Sequence, residues 1–236
     1  MNSDSWVGKI YRGLSLIYVC AGLNVLFLLG TVAGLGIFGL APSLLTTFHL
    51  AKLHHRQELN HPFKEYWRFY KEHFLTANKM LLPLFIVMAF TIWDGYLFQD
   101  SRGVLVALVV VEVILALMVI YASSMWQFYQ LTPKVCLQKA FQFIFYNFLG
   151  SILTLLFSGI CFYGSYLLPG IIPFFAIGFW CMVVMGIHLR LFEVNEEKLT
   201  KEATTNHDAE VVNPSTDAPA SHHLWPSVDK GRASQR

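Results

Sequence analysis

Long uncharged runs alternate with short charged segments along this chain. No charged residue lies between Arg12 and Lys52, and four further apolar runs follow before residue 193. A helix needs about 20 apolar residues to cross a bilayer core about 30 Å thick, and these runs are long enough. They also lack the two-residue alternation of barrel strands. The pattern therefore predicts an all-α protein, a polytopic transmembrane helical bundle with five long spans. The predicted spans are residues 14–32, 80–98, 103–126, 141–168 and 171–192.

The first uncharged run is too long for one crossing. As a straight helix, residues 13–51 would extend for roughly 60 Å, about twice the hydrocarbon thickness. The glycine-rich stretch GLGIFG supplies a reversal, and Pro42 can start or kink a returning helix. Only about 15 Å of helix separates Pro42 from Lys52. We therefore expect residues 33–51 to form a partial or re-entrant helix covered by protein, in preference to an exit onto the membrane surface.

Residues 62–76 have the pattern of an amphipathic helix that lies along the membrane interface. Lys64, Arg68 and Lys71 fall away from an aromatic face and would point towards anionic headgroups. The predicted aromatic anchors are Phe63, Trp67, Tyr70 and Phe74. Nucleic-acid-binding proteins also mix aromatic and basic residues, but the adjoining spans and two glutamates in the segment argue against that partner. The lipid bilayer is therefore the predicted partner of this helix.

The distribution of basic residues predicts how the protein is oriented. If residues 33–51 return, all seventeen Lys and Arg residues except Arg102 lie on one side, which is expected to be the cytoplasm. If they do not, Lys9 and Arg12 move to the outer side, and the C-terminus still faces inward. The side of the N-terminus stays open. We expect a multi-pass protein of the cell (inner or plasma) membrane, with residues 193–236 as a disordered cytoplasmic tail.

Polar side chains inside the spans are candidates for function. Glu112 lies near the middle of its span, where a charge costs at least about 2.5 kcal/mol, so it should face protein or water or be protonated. Asn24 lies at a similar depth on the first span. Six small or polar residues share one face of a later span: Asn147, Ser151, Thr154, Ser158, Cys161 and Ser165. This face is either a packing seam or a solute path, and we expect Glu112 to meet it or Asn24.

No pattern of catalytic or metal-binding residues appears in the chain. The four cysteines have no paired spacing, and the spans contain no pairing of a nucleophile with a base. Histidines cluster around His54 and His55, but Asn60 and Pro62 indicate that the helix has ended, so we expect solvated histidines. The sequence therefore predicts no catalytic residues, no metal site and no cofactor.

Two stretches of the sequence carry a resemblance to a known family. GLGIFGLAPSLLTTFHLAKL, followed by FKEYWRFYKEHFLTANKM, is similar to the YesL family of bacterial membrane proteins, whose shared domain has no known function. The resemblance covers roughly residues 10–195, and the long polar tail departs from it. Ala41, Pro42 and Ser43 stand where the family has a proline step before small residues, and Lys52 stands at the basic end of the helix.

The resemblance implies a function only in outline. Members of the family are often encoded near genes for carbohydrate uptake and degradation, and no catalytic or binding residues are established among them. It therefore implies a non-enzymatic accessory protein beside a carbohydrate transporter or a membrane sensor. The alternative is a small solute transporter that uses Glu112 and the polar face of residues 147–165.

Overall fold

The computed structural model describes residues 6–168 and 175–212, with side chains between 14 and 201, and these residues form seven helices without a strand. The helices are α1 (Trp6–Ala33), α2 (Ile37–His55), α3 (Pro62–Leu97), α4 (Arg102–Tyr129), α5 (Pro133–Tyr146), α6 (Phe148–Leu167) and α7 (Ile177–Val212). Segments of five helices, α1, α3, α4, α6 and α7, are long and apolar enough to cross a membrane. The predicted all-α polytopic bundle is confirmed.

The predicted reversal after the first span is confirmed at residues 34–36. Leu35 and Gly36 both have positive φ angles, 58° and 77°, and the Gly36 N–H donates to the Thr31 carbonyl at 2.8 Å. α1 and α2 then lie so close that a Cβ atom on Gly39 would be 2.3 Å from the Thr31 carbonyl oxygen. Glycine is required there because any side chain would collide with the backbone of α1.

α2 is the central helix of the bundle. It contacts α1, α3, α4 and α7, and its residues 41–51 are buried except for half-buried His49. Thr46 and Thr47 donate to the carbonyls one turn earlier, at 2.7 and 2.8 Å, so neither hydroxyl is left unpaired in the core. α2 is not among the five helices suited to crossing, and its depth in the bilayer stays a prediction.

α3 corrects the prediction of a separate interfacial helix at 62–76 and a span at 80–98. Residues Pro62–Leu97 form one helix of 36 residues, about 54 Å long, because no glycine or proline interrupts it between 76 and 80. The aromatic face also differs from its predicted role. Tyr70 is buried and donates to the Gly30 carbonyl at 2.8 Å, whereas Phe63 is 62% exposed, so only part of this face packs inside the bundle.

The predicted span at 141–168 is interrupted at Asn147. α5 begins at Pro133 and ends at Tyr146. The Asn147 side chain then accepts a hydrogen bond from the Gly150 N–H at 3.2 Å and caps α6. Asparagine is favoured at such caps because its side-chain oxygen accepts a hydrogen bond from a free backbone N–H at the start of a helix.

α7 continues beyond the predicted start of the disordered tail. It extends from Ile177 to Val212, because residues 193–212 contain many Glu, Lys and Ala residues that favour a helix. The predicted tail boundary at 193 is therefore wrong. The rest of that tail, from 213, and the start of the predicted span at 171–192 lie outside the described residues.

Candidate functional site

A buried group of polar side chains joins α4, α6 and α7. His188 of α7 is fully buried, and its Nδ1 lies 2.8 Å from the Ser124 hydroxyl of α4. Its Nε2 lies 3.1 Å from the Thr154 hydroxyl of α6, and its ring stacks on Tyr121 with 4.5 Å between ring centroids. The Tyr121 hydroxyl lies 3.3 Å from Ser151. We call these five residues the His188 cluster.

The hydrogen bonds of this cluster restrict its protons. The Ser124 hydroxyl also lies 3.0 Å from the Ile120 carbonyl, and the Thr154 hydroxyl lies 2.9 Å from the Gly150 carbonyl. A neutral imidazole has one donor and one acceptor. One of the two hydroxyls must therefore donate to His188, and it then loses its hydrogen bond to the carbonyl of its own helix. The other hydroxyl accepts from the ring. The cluster can hold the imidazole proton on either side, and it links three helices in both arrangements.

The polar face predicted on residues 147–165 lies against these neighbours. Ser151 donates to the Ile144 carbonyl at 3.0 Å, and Ser158 accepts from the Trp180 indole at 3.0 Å. Cys161 and Ser165 are half-buried and line a small cavity shared with Trp180. The face from Ser151 to Ser158 therefore bonds to α4, α5 and α7 of the same chain.

The expectation that Glu112 would meet Asn24 or the polar face of residues 147–165 is wrong, because Glu112 bonds to Thr91. Glu112 is half-buried on α4 and accepts a hydrogen bond from Thr91 of α3 at 2.7 Å. Asn24 is fully buried and accepts from the Ile177 and Gly178 N–H groups, at 2.9 and 3.2 Å. The tight α3–α4 hairpin places Glu112 opposite Thr91, whereas Asn24 satisfies free N–H groups near the start of α7.

A second polar group connects α2 to the end of α4. The Gln127 side-chain oxygen accepts a hydrogen bond from His49 Nδ1 at 3.1 Å, and its amide nitrogen donates to the Leu45 carbonyl at 2.9 Å. The Lys52 ammonium donates to the main-chain carbonyl of Gln127 at 2.7 Å. Burial, reinforced by nearby Arg56, lowers the pKa of Lys52 to about 8. This group therefore fixes the position of α2 beside α4.

The histidines in the last part of α2 are only partly solvated. His55 is exposed, but its Nε2 lies 2.8 Å from the Met182 carbonyl of α7. His49 is largely buried and stacks on Phe69 at 3.8 Å. Within the described part of the chain, no three His, Cys, Asp or Glu residues lie together in a way that could hold a metal ion.

Sequence analysis missed His188, Ser124 and Gln127. Each is a polar residue inside or at the end of an apolar run, and polar residues at such positions usually face protein. That signal was used for Glu112 and Asn24 but applies equally to a histidine. The sequence does not indicate which helices meet at His188.

Fold and site together define a multi-pass helical membrane protein whose intramembrane polar groups bond between its own helices. A family model described as "Protein of unknown function, DUF624" matches residues 20–95, which contain the second half of α1, all of α2 and most of α3. The chain is also 25% identical over 200 residues to the uncharacterized protein YteU of Bacillus subtilis (strain 168). The aligned region covers 81% of this chain and 86% of that protein. No solved structure matches. The chain is thus similar to proteins of unknown function.

Proposed function

We propose that this protein is a non-enzymatic accessory or interaction protein of the cell membrane, linked to carbohydrate uptake or its sensing. The resemblance to the YesL family supports the carbohydrate link. The interaction role rests on one observation: the polar side chains of the spans bond between helices of this chain. Glu112 bonds to α3, Asn24 bonds to α7, and His188 joins α4 to α6.

These three groups do not line a common route for a solute. Each joins a different set of helices, and the Glu112–Thr91 pair lies on the α3–α4 hairpin away from the His188 cluster. A cavity of about 780 Å³ between α3 and the α1–α2 turn is almost entirely apolar. A transporter would need a hydrated cavity near its coupling residues. The geometry therefore supports interaction over transport.

Two helices offer surfaces for a partner outside the bilayer. α3 and α7 each contain 36 residues, so each is about 54 Å long and exceeds a hydrocarbon core of about 30 Å. Both carry the charged segments that the distribution of Lys and Arg assigns to the cytoplasm. Reporter fusions at residues 1 and 236 test this orientation, and activity of the C-terminal fusion only in the periplasm would reject it.

Uptake of labelled sugars tests the functional proposal. We expect deletion of the gene to reduce uptake only in cells that contain a carbohydrate importer, and we expect the wild-type gene to restore it. The purified protein in liposomes should not move the same sugars. Uptake by the protein alone would instead support the small solute transporter.

A further inference from the structure

Two adjoining cavities beside the α2–α3 connection differ in chemical character. One is an apolar groove of about 420 Å³ along α1 between Tyr18 and Leu29, closed by Leu59 and Phe63. The other is a polar cleft of about 380 Å³. The polar cleft is lined by Leu59 and by Glu58, Asn60, His61, Lys64, Glu65 and Arg68, among others. Leu59 lines both cavities, so the apolar groove opens directly beside the polar cleft.

Two cations, Lys64 and Arg68, and two carboxylates, Glu58 and Glu65, line the polar cleft. Glu65 is paired with Arg68 of the next helical turn and lies 3.5 Å from His49 of α2. Arg68 remains 68% exposed despite this pair, so its guanidinium can still donate to a ligand. Lys64 is exposed and has no ion-pair partner among the described side chains. A ligand entering the cleft therefore meets an unpaired ammonium beside an accessible guanidinium.

The second carboxylate of the cleft is also balanced by neighbouring cations. Glu58 lies close enough to Lys52 to raise its pKa, and Arg56 lies close enough to lower it, so the three charges share one small region. Glu65 is thus paired with Arg68, and Glu58 lies near the cations Lys52 and Arg56.

The dimensions of the apolar groove match one leaflet of a membrane. The helix from Tyr18 to Leu29 extends for about 17 Å, and half of a hydrocarbon core is about 15 Å thick. Gly22 lies on the floor of the groove, and nothing lies within 4 Å of the position a Cβ atom would take there. The groove thus has room for a flexible chain along α1.

We propose that the polar cleft and the apolar groove form one binding site for an anionic phospholipid. Lys64 and Arg68 hold the phosphate, and one acyl chain lies in the groove over Gly22. Basic pockets at the membrane surface attract anionic headgroups, and an adjoining apolar surface adds affinity for the chain. The lipid would tie α1 to the start of α3, which are adjacent at Leu59 and Phe63. This site is separate from the residues that carry the proposed function.

Titration of the full-length protein in detergent with phosphatidylglycerol, followed by native mass spectrometry, tests this site. We expect saturable binding of one lipid and much weaker binding of phosphatidylcholine. The double variant Lys64→Ala/Arg68→Ala should bind phosphatidylglycerol roughly thirtyfold more weakly, since each basic residue near an anionic surface contributes a factor of about five. Gly22→Leu should also weaken binding, because its side chain enters the groove and nothing lies within 4 Å of its Cβ position.

Matched variants distinguish this site from general attraction. Lys71→Ala/Lys79→Ala removes the same charge from exposed positions of α3, and Gly159→Leu adds the same side chain at an open position of α6. Both should bind the lipid as the wild type does, and melting temperatures check that every variant is folded. Equal weakening by Lys71→Ala/Lys79→Ala, or no effect of Gly22→Leu, would overturn the proposal. Effective competition by glycerol phosphate alone would do the same, because the groove would then play no part.

Discussion

Hydroxyl groups in this bundle bond to their own helix and to a neighbouring helix. Ser124 and Thr154 each lie within hydrogen-bond distance of a carbonyl one turn earlier and of His188. A hydroxyl that bonds to its own helix has its polarity satisfied in an apolar medium before tertiary contacts form. The contact with His188 then adds specificity, because only one imidazole proton is available for two hydroxyls.

His188 should therefore contribute measurably to stability. His188→Phe keeps a ring beside Tyr121 but loses both interhelical bonds, and we expect it to lower the free energy of unfolding by about 1 kcal/mol. His188→Gln retains a donor and an acceptor and should cost less. Unfolding in detergent, followed by circular dichroism, measures both. Equal stability of the wild type and His188→Phe would show that the cluster does not stabilise the bundle.

Thr91 and Glu112 form a pair whose members should depend on each other. Thr91→Val leaves the carboxylate without its donor and should destabilise the protein by about 1 kcal/mol. The same change in a Glu112→Leu background should have little effect, because no carboxylate then needs a partner. A double-mutant cycle on the unfolding free energy measures this coupling. Additive effects of the two changes would contradict the pairing, and silent Glu112→Gln and Glu112→Leu variants would mean that Glu112 is merely tolerated.

At the scale of elements, the close contact between α1 and α2 depends on glycine. A Cβ atom on Gly39 would lie 2.3 Å from the Thr31 carbonyl oxygen and 2.8 Å from that of Gly30. Gly39→Ala should therefore separate the two helices and cost at least about 1–3 kcal/mol. Gly22→Ala is the control, since nothing lies within 4 Å of its Cβ position. If the two variants unfold alike, α1 and α2 do not pack as described.

The continuity of α3 can be tested at Lys79. This residue is exposed and lies between the predicted interfacial helix and the predicted span, where a loop would accept proline. In a continuous helix, Lys79→Pro removes a backbone hydrogen bond and should cost about 3 kcal/mol, whereas Lys79→Ala should cost little. Denaturation of both variants in detergent compares them. A Lys79→Pro variant as stable as Lys79→Ala would support the interrupted helix.

Helix existence and approximate position followed from the sequence, but partners and some boundaries did not. Hydropathy located the spans, and glycines located the reversal, because both are local properties. Asn147 interrupts a continuous apolar run by capping α6, which a count of apolar residues does not register. The partner of Glu112 depends on the register of the α3–α4 hairpin. His188 meets Ser124 and Thr154 only through the packing of three helices.

At the scale of the whole molecule, two kinds of surface are separate. Polar groups of the spans lie between helices, whereas the outward faces of α3, α4 and α6 carry many exposed apolar side chains that suit lipid. The long helices α3 and α7 extend the bundle beyond the hydrocarbon core. An accessory protein with these features would act through helix faces and its extramembrane segments, without conducting a solute.

Water access to the polar face of α6 most directly distinguishes an interaction protein from a solute transporter. In a background with Cys20, Cys136, Cys161 and Cys181 replaced by alanine, Thr154→Cys and Asp100→Cys are introduced singly and treated in membrane fragments with a charged maleimide. Thr154 is fully buried and Asp100 is exposed in the α3–α4 connection. We predict rapid labelling at position 100 and none at position 154. Labelling at position 154 at a comparable rate would reveal a hydrated path and contradict the account.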